Sequence, residues 1–299
     1  MPSASTAKKP PSKKKKVAAK RKSKKAARRK SHKWLTAATA DRHVLYERAV
    51  QDPEAEVDFV DQVWKERRGK RARTLREDFC GTAIASCAWV KRRHDNHAWS
   101  VDIDPAVLEW ARTHLPDRLT QKQFDRLNIV EGDVLTVRVP KVETIIAMNF
   151  SYFLFKTRKQ LRAYFTRVFK SLENNGIFIL DAYGGSEAFA EMHEERDCDG
   201  FTYIWDQHAY NPITGDVLNH IHFRFPDGTE MLHAFSYDWR LWTLPEIREL
   251  LAEAGFASTS VYWEGYDDDA EAGNGEFAAT EEGEACEGWI AYIVAEKSK

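Results

Sequence analysis

The residues of this chain best suited to chemistry are carboxylates and amides at the ends of short apolar runs. Glu77 and Asp78 close "TLRED" and lead into a Cys80-Gly81-Thr82 turn. Asp102 and Ile103 close "HAWSVDI", Asp133 and Val134 follow "LNIVEG", and Asn149 follows "ETIIAM". In an open α/β sheet, ligands sit outside the carboxyl ends of the strands, which is where these groups fall. A carboxylate at the end of the second strand, 21 residues after Gly81, can accept both hydroxyls of a ribose.

A nucleotide with phosphates does not suit this loop. A dinucleotide needs G-x-G-x-x-G so that backbone approaches the pyrophosphate, and here Gly81 stands alone beside two acids that would repel it. No G-x-x-x-x-G-K-[ST] occurs either. A nucleoside that carries a ribose and an ammonium group but no phosphate fits, and that is the profile of S-adenosylmethionine.

The elements that must position these groups alternate. Strand patterns in "TLRED", "HAWSVDIDP", "LNIVEGDVL", "ETIIAMNFSY" and "GIFILDAYGG" are separated by helical ones. The long helix in "KTRKQLRAYFTRVFKSLENNG" is expected to stop at Asn175-Gly176. Such alternation predicts a mainly parallel sheet with helices on both faces. Before it, Asp52 caps and Pro53 opens a helix that places Val57, Val60, Val63 and Trp64 on one face. After it, turn signals at Asn211-Pro212 and Pro226-Asp227-Gly228 separate three alternating runs, an antiparallel meander. The expected organisation is a disordered Lys-rich tail over 1–33, a helical lid over 34–70 and a cofactor-binding core over 71–184. A meander covering the substrate follows over 185–240, and the rest of the core over 241–299 carries an acidic, mobile loop at 264–287.

Between Arg73 and Glu296 the chain resembles the S-adenosylmethionine-dependent methyltransferases of the Rossmann-like superfamily, most of all those acting on small molecules. "EDFCGTA" resembles their first motif, an acid followed by a G-C-G-T-G loop, "SVDIDPAVLEWAR" the second and "VEGDVL" the third. "LENNGIFILD" resembles the helix-turn-strand of the fifth motif, and "LPEIRELLAEAGF" the helix before the last two strands. Phe79 and Ala83 stand where that loop usually has its first and last glycines. The resemblance implies a Rossmann-like methyltransferase sheet that binds S-adenosylmethionine. It implies Glu77 at the methionine amino group, Cys80, Gly81 and Thr82 supplying backbone, Asp102 and Ile103 at the ribose, and Asp133 and Val134 at the adenine.

Methyl transfer needs a nucleophile held in line with the methyl group, and a base only if the acceptor arrives protonated. "NFSY" leaves the fourth strand where donor and acceptor should meet. Asn149 is expected to bind the donor or position an acceptor nitrogen. Tyr152 is expected to bind substrate or take a proton. Trp205, His222 and Tyr237 on the meander complete the expected acceptor site. His220, His222 and Arg224 share a face that suits an anion, while no metal site is expected, since His-x-His in a strand usually marks a solvated face.

Composition bounds the rest. The 299 residues are 43% apolar and 12% aromatic, enough for a proper core. Residues 1–33 carry fifteen Lys or Arg and no acid, which leaves the remainder with 30 basic against 46 acidic residues. The tail suits nonspecific nucleic-acid contact through phosphates. The acidic body speaks against a nucleic-acid enzyme, which usually has a basic groove. A small-molecule acceptor is therefore favoured over a nucleic-acid or protein substrate delivered by the tail, and over a non-catalytic nucleoid-binding cofactor sensor. Four cysteines without C-x-x-C spacing, and no run of eighteen apolar residues, predict a cytoplasmic protein away from the membrane. The basic tail allows association with a nucleoid or nucleus.

Overall fold

A computed structural model describes residues 35–267 and 272–298. The basic tail lies outside the described residues, so its expected disorder and nucleic-acid contact are not addressed by the structure.

Two helices come first. Helix α1, Arg42–Ala49, is capped by Asp41, and α2, Pro53–Arg68, by Asp52, whose side chain accepts from Ala55 N at 3.1 Å. The α/β units follow: β1 Thr74–Asp78, α3 Ile84–Arg92, β2 His97–Asp102, α4 Pro105–His114, the single turn α5 Gln121–Phe124, and β3 Leu127–Glu131. Then come β4 Val142–Ala147, α6 Arg158–Ser171 and β5 Leu172–Gly184. An antiparallel insertion comprises β6 Met192–Asp197, β7 Thr202–Tyr210, β8 Asp216–Arg224 and β9 Glu230–Arg240. The chain returns through α7 Leu244–Ala254, β10 Ser258–Asp267, β11 Ala272–Thr280 and β12 Trp289–Glu296.

The main sheet has the order β11-β10-β12-β5-β4-β1-β2-β3. Strands β3, β2, β1, β4 and β5 are parallel, while β12 runs antiparallel between β5 and β10. Strand order reverses at β1, whose neighbours are β2 and β4, so a crevice opens outside the ends of β1 and β4. Alternate residues feed two cores. Ile145 and Phe178 pack with Leu161, Phe165 and Leu250 of α6 and α7, whereas Ile146 and Ile179 pack with Val60 and Trp64 of α2 and with α3. The expected apolar face of α2 (Val57, Val60, Val63, Trp64) is fully buried there. Helix α1 instead places Leu45 and Ala49 against Phe201, Ile221 and Phe223 of the insertion.

Three expectations need correction. Helix α6 stops at Ser171, and Asn175, at φ +61°, sits in a strand irregularity where the β4–β5 register shifts. A left-handed Asn serves a bulge as well as a helix end. The insertion has four strands rather than three, because the charged "MHEERD" pairs along its edge with β7. The described residues of the acidic segment 264–287 are largely strand: β11 pairs with β10, anchored by Phe277 against Phe59 and Tyr292.

Candidate functional site

The loop after β1 turns tightly. Cys80 N donates to Val101 O at 3.0 Å and Ala83 N to Cys80 O at 2.8 Å. Phe79, Gly81 and Ala83 all adopt left-handed φ values, of +58°, +53° and +57°. The loop thus keeps the conformation glycines usually supply, although two of its residues carry side chains and bear the strain. A Cβ on Gly81 would meet nothing within 4 Å, so the loop faces open space there.

Asp102 ties this loop to β2, accepting from Gly81 N at 2.8 Å and from Asp104 N at 3.0 Å. A carboxylate has about four acceptor positions, so it retains capacity for hydroxyls. Ile103 beside it is 68% exposed, an apolar surface at the mouth of the crevice. Asp133 accepts from Leu135 N at 2.8 Å, capping its own turn, and Val134 is buried beneath it. Cys80 is buried and its thiol is pushed well up by burial, so it offers backbone rather than a nucleophile. The Thr82 Oγ1 is buried and has no hydrogen-bond partner among the described residues.

Adjacent acids on β1 have different surroundings. Asp78 is fully buried in a pair with Arg76 (Oδ1–Nε 2.6 Å) and also accepts from the Tyr164 hydroxyl at 3.0 Å. Glu77 points to the other face, where it accepts from Ser86 N at 2.9 Å and Ser86 Oγ at 2.5 Å. Burial pushes the Glu77 carboxyl up to about 7 against the pull of the Ser86 bonds, with the charges of Asp102 and Asp78 adding to the rise. An orphaned hydroxyl, a buried acid without a cation, a carboxylate at a strand end and open space over Gly81 together fit S-adenosylmethionine.

Beyond the ends of β4 and β5 lies a cavity of about 700 Å³, roofed by the inner face of the insertion and flanked by α1 and α2. Asn149 and Phe150 line it, both at φ +58°, two consecutive left-handed residues without glycine. Asp181 holds them, accepting from Asn149 N at 2.7 Å and Phe150 N at 2.9 Å. Burial raises Asp181 to about 7 against these bonds. Glu56 of α2 also lines the cavity, and burial, then the charges of Glu77 and Asp181, raise it well above the usual range. None of Glu56, Glu77 and Asp181 takes part in an ion pair among the described residues. Trp205 and Tyr237 face the cavity, and Tyr237 stacks on Trp239 at 4.4 Å. The cavity's Arg196 is occupied elsewhere, bonded to Ala49 O and lying 5.2 Å over the Tyr203 ring.

Two expected site residues lie elsewhere. Tyr152 is 0% exposed, and its hydroxyl donates to Asp181 O at 2.7 Å. The turn Ser151–Leu154 rotates it into the core, where burial raises its hydroxyl well above the ordinary value, so it is neither base nor substrate contact. His222 points to the outer face of the insertion, because Ile221 takes the inner one. Asp181 and Glu56 are the residues missed. Asp181 ends an apolar run as Asp102 does, so its signal was present. Glu56 reads only as an acid in a first helical turn.

No protein-family model and no curated protein sequence matches the chain. Solved structures do. An S-adenosylmethionine-dependent methyltransferase from Clostridium acetobutylicum matches with a TM-score of 0.63 at 16% identity, over 86% of this chain and 97% of that one. An amino pentose methyltransferase from Micromonospora echinaspora, bound to S-adenosylmethionine, matches at 0.60 and 16%, over 86% and 96%. A sugar N-methyltransferase from Streptoalloteichus matches at 0.58 and 16%, over 100% and 99%. This chain has the fold of these S-adenosylmethionine-dependent methyltransferases.

Proposed function

We propose that this protein methylates an amine nitrogen of a small acceptor, using S-adenosylmethionine. The observation that carries the reading is the character of the cavity. Its aromatic rings and the buried acids Glu56 and Asp181, whose ionised forms a cation beside them would favour, form a box for a cation. The likeness to sugar and amino-sugar methyltransferases supports a small polar acceptor.

S-adenosylmethionine supplies an electrophilic methyl group on a positively charged sulfur. The chain's own residues do the rest. Gly81, Asp102 and Glu77 hold the nucleoside and the amino group, while Ile103 and Val134 flank the base and Asp133 borders it. Asn149 lies between donor and acceptor. Trp205 and Tyr237 orient a protonated amine, and Asp181 accepts the proton that frees its lone pair. A base near 7 suits that transfer at neutral pH.

The test is methyl-labelled S-adenosylmethionine incubated with a cell extract separated by size, with and without prior acetylation of its amines. Label in the small-molecule fraction, lost on acetylation, is the expected result. Label that survives acetylation, or that appears in nuclease-sensitive material, overturns the reading.

A further inference from the structure

The outer face of the inserted sheet carries a cluster that the methyl-transfer site does not use. Strand register puts His193 of β6 opposite Asp206 of β7, and Asp206 opposite His220 of β8. Directly opposed side chains on one face start about 5 Å apart, so this row converges. A two-residue step adds His222 beside His220, and the irregularity between Gln207 and Ala209 leaves His208 beside Asp206. His193 Nε2 lies 3.0 Å from Asp206 Oδ1, and His208 Nδ1 lies 3.9 Å from Asp206 Oδ2. Donor atoms of Asp206, His208 and His220 all fall within 4.8 Å of one another.

The surroundings orient these groups as second-layer partners orient metal ligands. His220 Nδ1 is bonded to Ser236 Oγ at 2.8 Å, which leaves Nε2 for a ligand bond. His222 accepts from His233 N at 2.8 Å through Nδ1, so its Nε2 carries the proton and donates it to Asp206 Oδ2 at 3.2 Å. Asp206 and His220 are buried, while His208 and His193 are 57% and 65% exposed at the side chain and free to close on an ion.

We propose that this face binds one borderline divalent transition metal, of the zinc class, through Asp206, His208 and His220, with His193 closing the fourth position. Imidazole and carboxylate donors select such ions over magnesium or calcium. A tetrahedral zinc site holds its donors about 3.3 Å apart, so the exposed His208 moves inward on binding and His193 turns from Asp206 toward the ion. His222 acts as a positioning residue through Asp206. The ion would join β6, β7 and β8. Edge strand β6 is exposed along most of its length, and its Met192, Glu194 and Arg196 line the cavity. Metal binding therefore fixes one wall of that cavity from behind, without touching the reacting atoms.

The test uses untagged full-length protein freed of metal by chelator and titrated with zinc chloride, then with cobalt chloride as a spectroscopic probe. One equivalent of zinc per chain and an intense tetrahedral cobalt spectrum are expected. His208→Ala, at an exposed position, is expected to abolish the tetrahedral spectrum and weaken zinc binding about a hundredfold or more, since it removes a direct ligand where loss of a second-layer partner already costs about 10–100-fold. His222→Ala is expected to weaken it about 10–100-fold while keeping the spectrum. His94→Ala, outside the cluster, leaves both unchanged. Absence of saturable binding, or stoichiometric binding that survives His208→Ala combined with His220→Ala in a folded variant, overturns the proposal and leaves the cluster a hydrogen-bonded network.

Discussion

The parallel sheet and the inserted antiparallel sheet both place polar side chains on alternate faces of a strand, to different ends. On β1, Asp78 faces α6 and meets Arg76 and Tyr164, whereas Glu77 faces Ser86 and no cation. On β7, Trp205 faces the cavity and Asp206 the histidines. In the parallel sheet both faces are covered by helices, so an acid must be paired or hold its proton. In the insertion one face is a cavity wall and the other opens to solvent. A single step along a strand thus decides whether an acid serves stability or is left for a ligand. The test of that distinction is whether removing neighbouring acids has opposite consequences.

The largest effect is expected at Asp181, where both roles meet. Asp181→Asn keeps only one of the two oxygens that hold the Asn149–Phe150 turn and cannot take a proton. Its kcat is expected to fall about 100- to 10,000-fold, with S-adenosylmethionine affinity nearly unchanged by calorimetry. An unchanged kcat would reduce Asp181 to a turn holder.

Next comes the paired acid. Arg76→Met leaves Asp78 buried without its counter-ion and is expected to lower stability by about 3–5 kcal/mol in denaturant unfolding. Adding Asp78→Leu should restore most of it, because the pair's net worth over apolar packing is small. Failure of the second substitution to rescue would mean that the Tyr164 bond carries more than the ion pair.

Glu77 should behave in the opposite sense. Its folded-state carboxyl lies at about 7, so between about pH 4 and 7 the folded state holds more protons than the unfolded one. Stability is then lost as pH rises through that window, by about 3 kcal/mol for this group. Glu77→Gln is expected to flatten the decline and raise the melting temperature of the ligand-free protein at pH 8. A cationic ligand favours the ionised form, so S-adenosylmethionine should bind more tightly as pH rises through about 7, and the variant should lose both that dependence and about tenfold in affinity. A variant that is less stable at pH 8 would place Glu77 with Asp78 among the structural acids.

Local patterns explain why the residues proposed to hold the donor could be picked out from the sequence. The loop after β1, Asp102 and Asp133 follow from strand ends, which period and turn signals mark within a few residues. The acceptor half depends on distant juxtapositions. Glu56 reaches the cavity only because α2 packs beside the sheet. The histidine cluster needs the register of three strands, including a charged edge strand that carries no apolar alternation. His220 and His222 were rightly put on one face, but which face points inward depends on Ile221 and Phe223 packing against α1 and its surroundings. At "NFSY" two left-handed residues shift the phase of all that follows, and sequence pattern does not foresee such a pair outside glycine.

That phase shift yields the smallest expected effect and the sharpest check on the acceptor half. Tyr152 and Asn149 are three residues apart, yet one is sealed in the core and the other lines the cavity. Tyr152→Phe removes only the bond to the Asp181 carbonyl. It is expected to lower stability by about 1 kcal/mol and to leave kcat and KM within about twofold. Because that carbonyl belongs to the residue assigned as base, a misplaced Asp181 would show first as a displaced pH profile of kcat/KM rather than as lost rate at its optimum. An unshifted profile with slightly reduced stability means that backbone bonds from Asn149 and Phe150 alone position the carboxylate, and that the tyrosine's part is packing.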